Sequence, residues 1–446
     1  MTSSKKDGLY LLAIGAAVFL LFGIALQFAA GDSREDFKAV VYGARCLLHH
    51  CDPYNETELF RYYQTQFPEP LVSHLRSHTL TLYVNLPATI LFVSPFAMLP
   101  FAAASALWSI LTAASLVLAA FLAWDLASAY APTLGGVLIA LSLLSAAVVL
   151  GNGNPAGIVV AFAIIAVWCF IRQQFLFAGV LCLAISLALK PHDAGLVWLY
   201  LLLAGGTLRK RALQSLAVTA LVSLVAVLWV YQVSPHWIPE LRTNMAIMSG
   251  PGGNNDPGPD GPTSRKHSAE MIVDLQSAVS LFRDDPPFYN AVAWLICGTL
   301  LLLWILATLR SRFSPADTAL ALAAITPLTM LITYHRAYDT RLLMLAVPAC
   351  AMLYAGKGIA GRIAPAITTL ALIFTGEVPS AFLKPITANL PPISAGPLAT
   401  IETLFLARPA PLVLLGMAVF YLCIYARRTL RPSTEQSAPE AHELRT

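Results

Sequence analysis

The chain has 446 residues, 57% of them hydrophobic and only 12% charged, with a formal net charge of +4. Soluble domains carry about a quarter charged residues, so this deficit excludes an ordinary soluble globular protein and points to the bilayer. The small positive balance calls for no nucleic-acid partner, because Lys and Arg gathered in short loops on one side of a membrane account for it.

In chain order, Lys5 and Lys6 precede an apolar run at 9–30 that is as long as a full span and lacks a small-residue cleavage site. It reads as an anchor. Further spans are expected at 101–124, 155–171, 175–189, 191–206, 211–233, 288–309, 317–334, 339–356, 363–380 and 407–426, with 82–99 and 133–150 less regular. Basic clusters at Arg172, Arg209 to Arg211, Arg310 and Arg312, Lys357 and Arg362, and Arg427 and Arg428 belong on the cytoplasmic side. Parity counted from the two ends agrees if 82–99, interrupted by Pro87 and Pro95, does not cross. The expectation is an all-α polytopic membrane protein with about twelve transmembrane helices and both termini in the cytoplasm. Its parts are an anchor (1–30), an outer loop with short interfacial helices (31–81), a transmembrane core (82–233), a flexible outer loop (234–287), a C-terminal transmembrane bundle (288–426) and a cytoplasmic tail (427–446).

The first outer loop opens GDSREDFKAVVYGARCLLHHCDPYN, with Glu35 and Asp36 ahead of an apolar run of helical spacing. First-turn carboxylates suit the positive end of a helix dipole, so a short surface helix is predicted to start beside Asp36. Five of the seven cysteines lie in apolar spans, where cysteine behaves as a small hydrophobe. Cys46 and Cys51 flank His49 and His50, a spacing that leaves open a metal cluster, a local disulfide or no special role. Gly250 to Ser268 cannot bury a core and is expected to be flexible, either a lid over an acceptor or a plain connector. The tail from Pro432 is expected to be disordered. No P-loop, nucleophile elbow, H-E-x-x-H motif or strong internal repeat is present, which leaves ATP-driven and serine-type chemistry without support.

Four polar clusters fall on the outer side: Glu35 and Asp36; Asn152 and Asn154; Lys190, His192 and Asp193; and His335, Arg336, Tyr338 and Asp339. Ionisable residues at membrane depth are costly and are functional candidates by default. Lys190 next to Pro191 runs against the positive-inside bias, although a lysine at a helix end also snorkels to the interface. Helical spacing would put His335, Tyr338 and Asp339 on one face, either as a hydrogen-bonded corner in which Asp339 holds His335 or Arg341, or as an anion site with Arg336. One carboxylate opposite several cationic donors suits sugar transfer from a lipid phosphate: the acceptor hydroxyl needs a base, and the leaving phosphate needs positive charge.

Several stretches also resemble glycosyltransferase family 87, in that family's order. They are DFKAVVYGARCLLHHCDPY, YVNLPATILFVSPFAMLP from Tyr83 to Pro100, GNGNPAGIV, AGVLCLAISLALKPHDA and the corner TYHRAYDTRLLM. Asn152 stands where a glutamine is usual, Leu86 replaces the first proline of a pair, and His50 or Cys51 occupies a common glycine position. The resemblance implies the C-type polytopic glycosyltransferase fold and an inverting, mannosyltransferase-like hexosyltransferase in the cell inner (plasma) membrane, acting on its periplasmic or extracellular side. It implies a polyprenyl-phosphate sugar donor, a glycolipid or glycan acceptor, membrane lipids as surroundings, and no cofactor or obligatory metal. Carried onto this chain, Asp36 would be the base, His335 would sit by the donor phosphate or share that proton transfer, and Lys190 and Arg336 would neutralise the leaving phosphate. Tyr338, Asp339, Tyr42, Tyr54, Asn154 and Glu35 complete the expected substrate site. The competing expectation is a transporter or flippase for lipid-linked sugars, which would place its ionisable residues near the bilayer midplane. A structural membrane subunit would need no such convergence.

Overall fold

The structure is a computed structural model that describes residues 2–30, 34–66, 80–259, 261–262, 272–376, 397–406 and 408–430. The expected disordered tail, most of the 381–406 loop, residues 67–79 of the first loop and residues 263–268 of the glycine-rich loop lie outside the described residues.

The described chain is helical throughout, its one β contact being an isolated bridge between Ile272 and Arg336. Helix α1 (Ser3–Ala30) is followed by α2 (Glu35–Leu48), α3 (Glu56–Thr65), α4 (Pro87–Ala97), α5 (Phe101–Ser128), α6 (Pro132–Leu144) and α7 (Ala147–Asn152). Next come α8 (Ala156–Arg172), α9 (Leu176–Leu189), α10 (Pro191–Leu203), α11 (Gly206–Val233), α12 (Trp237–Ser249) and α13 (Leu275–Val279). Helices α14 (Pro286–Arg310) and α15 (Pro315–Ile332) lead to a 3-10 stretch (Asp339–Ala346), α16 (Val347–Ala355), α17 (Ile359–Phe374) and two last helices, Pro397–Leu406 and Pro409–Leu430.

Seven of these are long and apolar enough to cross a membrane: α1, α5, the continuous stretch Pro132–Asn152, α11, α14, α15 and Pro409–Leu430. The chain is a membrane-embedded all-α protein. The uncertain run 82–99 holds only the 11-residue α4, about 16 Å of helix and half of a hydrocarbon core, whereas 133–150 belongs to a 21-residue span. Helices α1, α11 and α14 leave most of their apolar surface uncovered, with Leu21, Leu228 and Leu302 each more than half exposed, as lipid-facing helices do.

Helix α1 docks along α6 and α7 through a glycine stripe. A Cβ at Gly8 would collide with the Pro132 carbonyl, one at Gly15 would lie 2.7 Å from the Ala140 Cα, and one at Gly23 would collide with Leu150. Small residues at such a crossing let the two backbones approach. A single apolar core then runs from Leu12 and Phe19 through α8, α15 and the 3-10 stretch to Tyr425.

The loop after α1 has its own core, shared with α5, of Phe37, Val40, Val41, Tyr54, Tyr83, Trp108 and others. Helix α2 starts where the acidic pair predicts, and Asn55 caps α3 by accepting the Glu58 amide at 3.2 Å. Cys46 and Cys51 form a disulfide with Cα atoms 4.8 Å apart, so both thiols are engaged and the metal-cluster reading of this motif falls. Helix α12 lies over this loop, with the Asn244 amide donating to the Tyr54 carbonyl at 2.9 Å and the Tyr83 carbonyl at 3.1 Å. Part of the glycine-rich segment lies among the described residues. Buried Asp256 accepts the Gly252 amide at 2.9 Å and the Gly258 amide at 2.7 Å, and so folds the turn around itself.

Candidate functional site

Three interruptions of the helical framework meet, with the start of α2, in one connected set of side chains. The first is the break between α7 and α8. Gly153 ends α7 with φ +68°, and a Cβ there would sit 2.6 Å from the Phe37 Cβ and 2.9 Å from Arg34 Nη2. Glycine supplies both the left-handed turn and the room for the start of α2. Arg34, only 1% exposed, donates from Nη2 to the Leu150 carbonyl at 2.7 Å and from Nε to the Gly151 carbonyl at 3.2 Å. It thereby satisfies the last carbonyls of α7 at the negative end of that helix. Nη1 holds the Ser105 carbonyl at 3.1 Å and the Ser105 hydroxyl, and Trp108 Nε1 donates to the Gly153 carbonyl at 2.9 Å.

The clamped turn presents Asn154. Its Oδ1 accepts the Ala156 amide at 2.8 Å, which orients the side-chain amide, and Nδ2 donates to Asp36 Oδ2 at 3.0 Å and to the Tyr338 hydroxyl at 2.9 Å. Asp36 is half-buried while Glu35 is exposed, as expected for neighbours about 100° apart on a helix.

At the break between α9 and α10, Lys190 takes the extended conformation that a following proline favours, with φ −140° and ψ 82°. Its Nζ lies 2.6 Å from Asp339 Oδ1, 3.4 Å from Asp193 Oδ2 and 5.6 Å from the centre of the Tyr338 ring. Burial disfavours the charged ammonium, but the Asp193 and Asp339 carboxylates outweigh it and hold Lys190 charged above its ordinary range.

The corner after α15 completes the set. Asp339 Oδ2 accepts the Arg336 amide at 2.8 Å and closes a turn that Arg336 O and the Asp339 amide also bridge. His335, fully buried, places Nδ1 2.7 Å from the Thr333 carbonyl and Nε2 3.0 Å from Asp193 Oδ1. A carbonyl only accepts, so Nδ1 carries a hydrogen. Burial lowers the proton affinity of His335, but the contact with Asp193, reinforced by Asp339, more than reverses this and leaves its pKa raised. His192 stands beside it with ring centres 5.1 Å apart.

The sequence-predicted residues Asp36, Asn154, Tyr338, Lys190, Asp339 and His335 are thus joined, with Asp193 between the lysine and the histidine. Other expectations need correction. Residues Thr333–Tyr338 form a turn and not a helix, so His335, Tyr338 and Asp339 do not share a helical face; they meet through Lys190 and Asp193. Asp339 takes the Lys190 ammonium and the Arg336 amide, and the Arg341 guanidinium is buried on the Ser142 and Thr375 carbonyls at 2.7 and 3.1 Å. Arg336 directs its guanidinium to the Tyr334 hydroxyl and, at 2.7 Å, to the Asn254 carbonyl, so it ties the corner to the glycine-rich loop. Tyr42 packs edge-on to Tyr63 at 4.8 Å, while Tyr54 packs on Tyr83 at 5.2 Å and donates to the Asn85 carbonyl at 3.0 Å. Both serve the core of the loop.

Arg34 and Trp108 escaped the sequence reading. Arg34 had a signal, since it is a cation on the expected outer side, the same anomaly that singles out Lys190. Trp108 sits in an unbroken apolar run and has none.

Comparison with known protein families, curated proteins and solved structures finds no match for this chain.

Proposed function

We propose that the protein is a polytopic glycosyltransferase of the C-type fold, with about twelve crossings, that moves a sugar from a polyprenyl-phosphate donor to a glycolipid or glycan at the outer face of the inner (plasma) membrane. Mannose is the sugar that the family resemblance favours. The observation that carries the reading is the line from the Asp36 carboxylate through Asn154 and Tyr338 to the buried Lys190, Asp339, Asp193 and His335 cluster. A base stands at one end of that line and cationic donors at the other.

In the reaction, the acceptor oxygen attacks the anomeric carbon while its proton passes to Asp36. The bond from that carbon to the phosphate oxygen breaks, its electron pair leaves with the polyprenyl phosphate, and the configuration inverts. Lys190 meets the developing phosphate charge, with Arg336 at the rim, and such stabilisation acts most strongly where water is excluded. Inversion requires one base, which a single presented carboxylate provides.

The buried ion cluster also suits a transporter or flippase for lipid-linked sugars, since such proteins keep paired charges inside their bundles. One assay separates the two. Purified protein is given radiolabelled polyprenyl-phosphate mannose with membrane-lipid acceptors, and products are resolved by thin-layer chromatography. The transferase releases free polyprenyl phosphate, and Asp36→Asn lowers its rate about 10²–10⁴-fold while keeping donor binding. Movement of intact donor between leaflets without that release would establish the transporter, and wild-type transfer by Asp36→Asn would remove Asp36 as base.

A further inference from the structure

At the buried end of the network, three donor atoms converge from two helix breaks. His335 Nε2 lies 3.0 Å and His192 Nε2 3.8 Å from the same Asp193 oxygen, and donor atoms of the three residues all fall within 4.8 Å of one another. A tetrahedral ion with bonds of about 2.0–2.2 Å needs its donors about 3.4 Å apart, a spacing these distances bracket. The imidazole of His335 is also oriented as a ligand, because its Nδ1–H is directed at the Thr333 carbonyl and Nε2 is turned inward.

Two further observations bear on what belongs there. Asp193 and His335 are both fully buried, yet among the described residues neither Asp193 oxygen nor His335 Nε2 has an aligned hydrogen-bond partner. Their contacts with each other and with Lys190 are charge contacts only. Buried polar atoms are normally satisfied, so a carboxylate oxygen and an imidazole nitrogen held 3.0 Å apart without an aligned hydrogen bond are spaced as two ligands around one ion are. Charge points the same way. Asp193 and Asp339 against Lys190 leave this buried cluster one negative charge in excess once an ion displaces the proton that these carboxylates favour on His335. A divalent ion would turn that excess into one positive charge.

We propose that His192, Asp193 and His335 bind one divalent transition-metal ion of the Zn²⁺ type, with a fourth position left open. Two imidazoles and one carboxylate are a donor set for borderline metals, distinct from the all-oxygen sets of Mg²⁺ or Ca²⁺. The His192 side chain is 38% exposed, so the ion has an entry path beside that ring. This departs from the metal-independent expectation raised by the family resemblance. It does not depend on the transferase reading, because binding is read on the protein alone.

The test uses full-length protein purified in detergent without a polyhistidine tag, stripped with chelator and dialysed. Zn²⁺ is then titrated calorimetrically, and bound metal is counted by mass spectrometry. One Zn²⁺ per chain is expected, with a rise in melting temperature. His192→Gln and Asp193→Asn should each weaken binding at least tenfold, since even outer-shell changes at metal sites cost 10–100-fold. Because His192 is partly exposed, His192→Gln should fold with an unaltered melting temperature in chelator. His49→Gln with His50→Gln, at the exposed end of α2, should bind as the wild type does. Absence of stoichiometric Zn²⁺ in the wild type would overturn the proposal in favour of a proton on His335. Equal binding by the His192 and Asp193 variants, or loss of binding in the His49 and His50 variant, would also overturn it.

Discussion

Replacing Asn154 by Asp tests the link between the two ends of the site. The carboxylate still accepts the Ala156 amide, which Asn154 Oδ1 holds at 2.8 Å, so the start of α8 keeps its cap. What changes is the other side of the group. The donor to Asp36 at 3.0 Å becomes an acceptor, and a charge-assisted hydrogen bond of about 1.5–3 kcal/mol is lost. Two charges at 3.0 Å would repel by about 5 kcal/mol at an effective dielectric of about 20. The two carboxyls therefore share one proton, as closely paired carboxylates do. Transfer at neutral pH should fall by about 10²-fold or more, and rise again with pH as the shared proton is lost. The assay is the rate of polyprenyl-phosphate release between pH 5 and pH 10, alongside thermal unfolding, which should move little. A wild-type rate and an unshifted pH profile in Asn154→Asp would refute the placement of Asp36 as the base.

Gly153→Ala should destabilise by roughly 2–4 kcal/mol, combining left-handed strain with overlap on Phe37, and should lower transfer because Asn154 moves; unfolding in detergent measures the first effect and product release the second. Gly136→Val places its Cβ against the Gly8 backbone, which no rotamer relieves, so α1 should lose its seat on α6 and a cysteine crosslink between the two helices should fail to form. Asp274 is buried and its carboxyl pKa is raised from 3.8 to about 6, with burial as the main cause. The fold therefore binds that proton more tightly than the unfolded chain does, and wild-type stability should fall by about 2 kcal/mol as pH rises from 4 to 6. Asp274→Asn keeps the cap on Ser277 and should flatten that loss, raising the melting temperature at pH 7 but not at pH 4; equal pH slopes in the two proteins would contradict the assignment.

Much of the fold was legible because membrane solvation leaves few options. A 28-residue helix such as α5 or α11 is dictated by length and apolarity, and the proline-broken 82–99 run reads correctly as something shorter. The candidate site was legible as four clusters sharing one side, since ionisable residues stand out against so apolar a background. The pairing inside it was not. Asp339 pairs with Lys190, 149 residues away. Local spacing carries no information about partners brought in from another helix break. Tyr42 and Tyr54 are ambiguous for the opposite reason: an aromatic residue in a surface loop signals packing as readily as binding, and each of these packs on a neighbouring tyrosine.

The glycines and prolines tell more than the charges do about where such a site forms. A helix in a bilayer is interrupted only where protein can satisfy the freed backbone groups. At Gly153 that satisfaction comes from Arg34 and Trp108, and at the Thr333–Tyr338 corner it comes from Asp339 and the Val273 amide on the His335 carbonyl. Each break therefore recruits polar side chains to bury its own backbone. Where several breaks lie at the same depth, those side chains meet one another, and Asn154, Lys190 and His335 each sit within two residues of a break. The connected polar set then follows from the geometry of interruption, and the charged residues at the other helix ends need not resemble it. There Arg172 pairs with Asp125 at 2.8 Å beside the Trp168 indole, and Arg428 pairs with Asp317 at 2.9 Å beside the Ser314 cap, contacts local to partly exposed helix ends. Such pairs contribute about 0–1 kcal/mol.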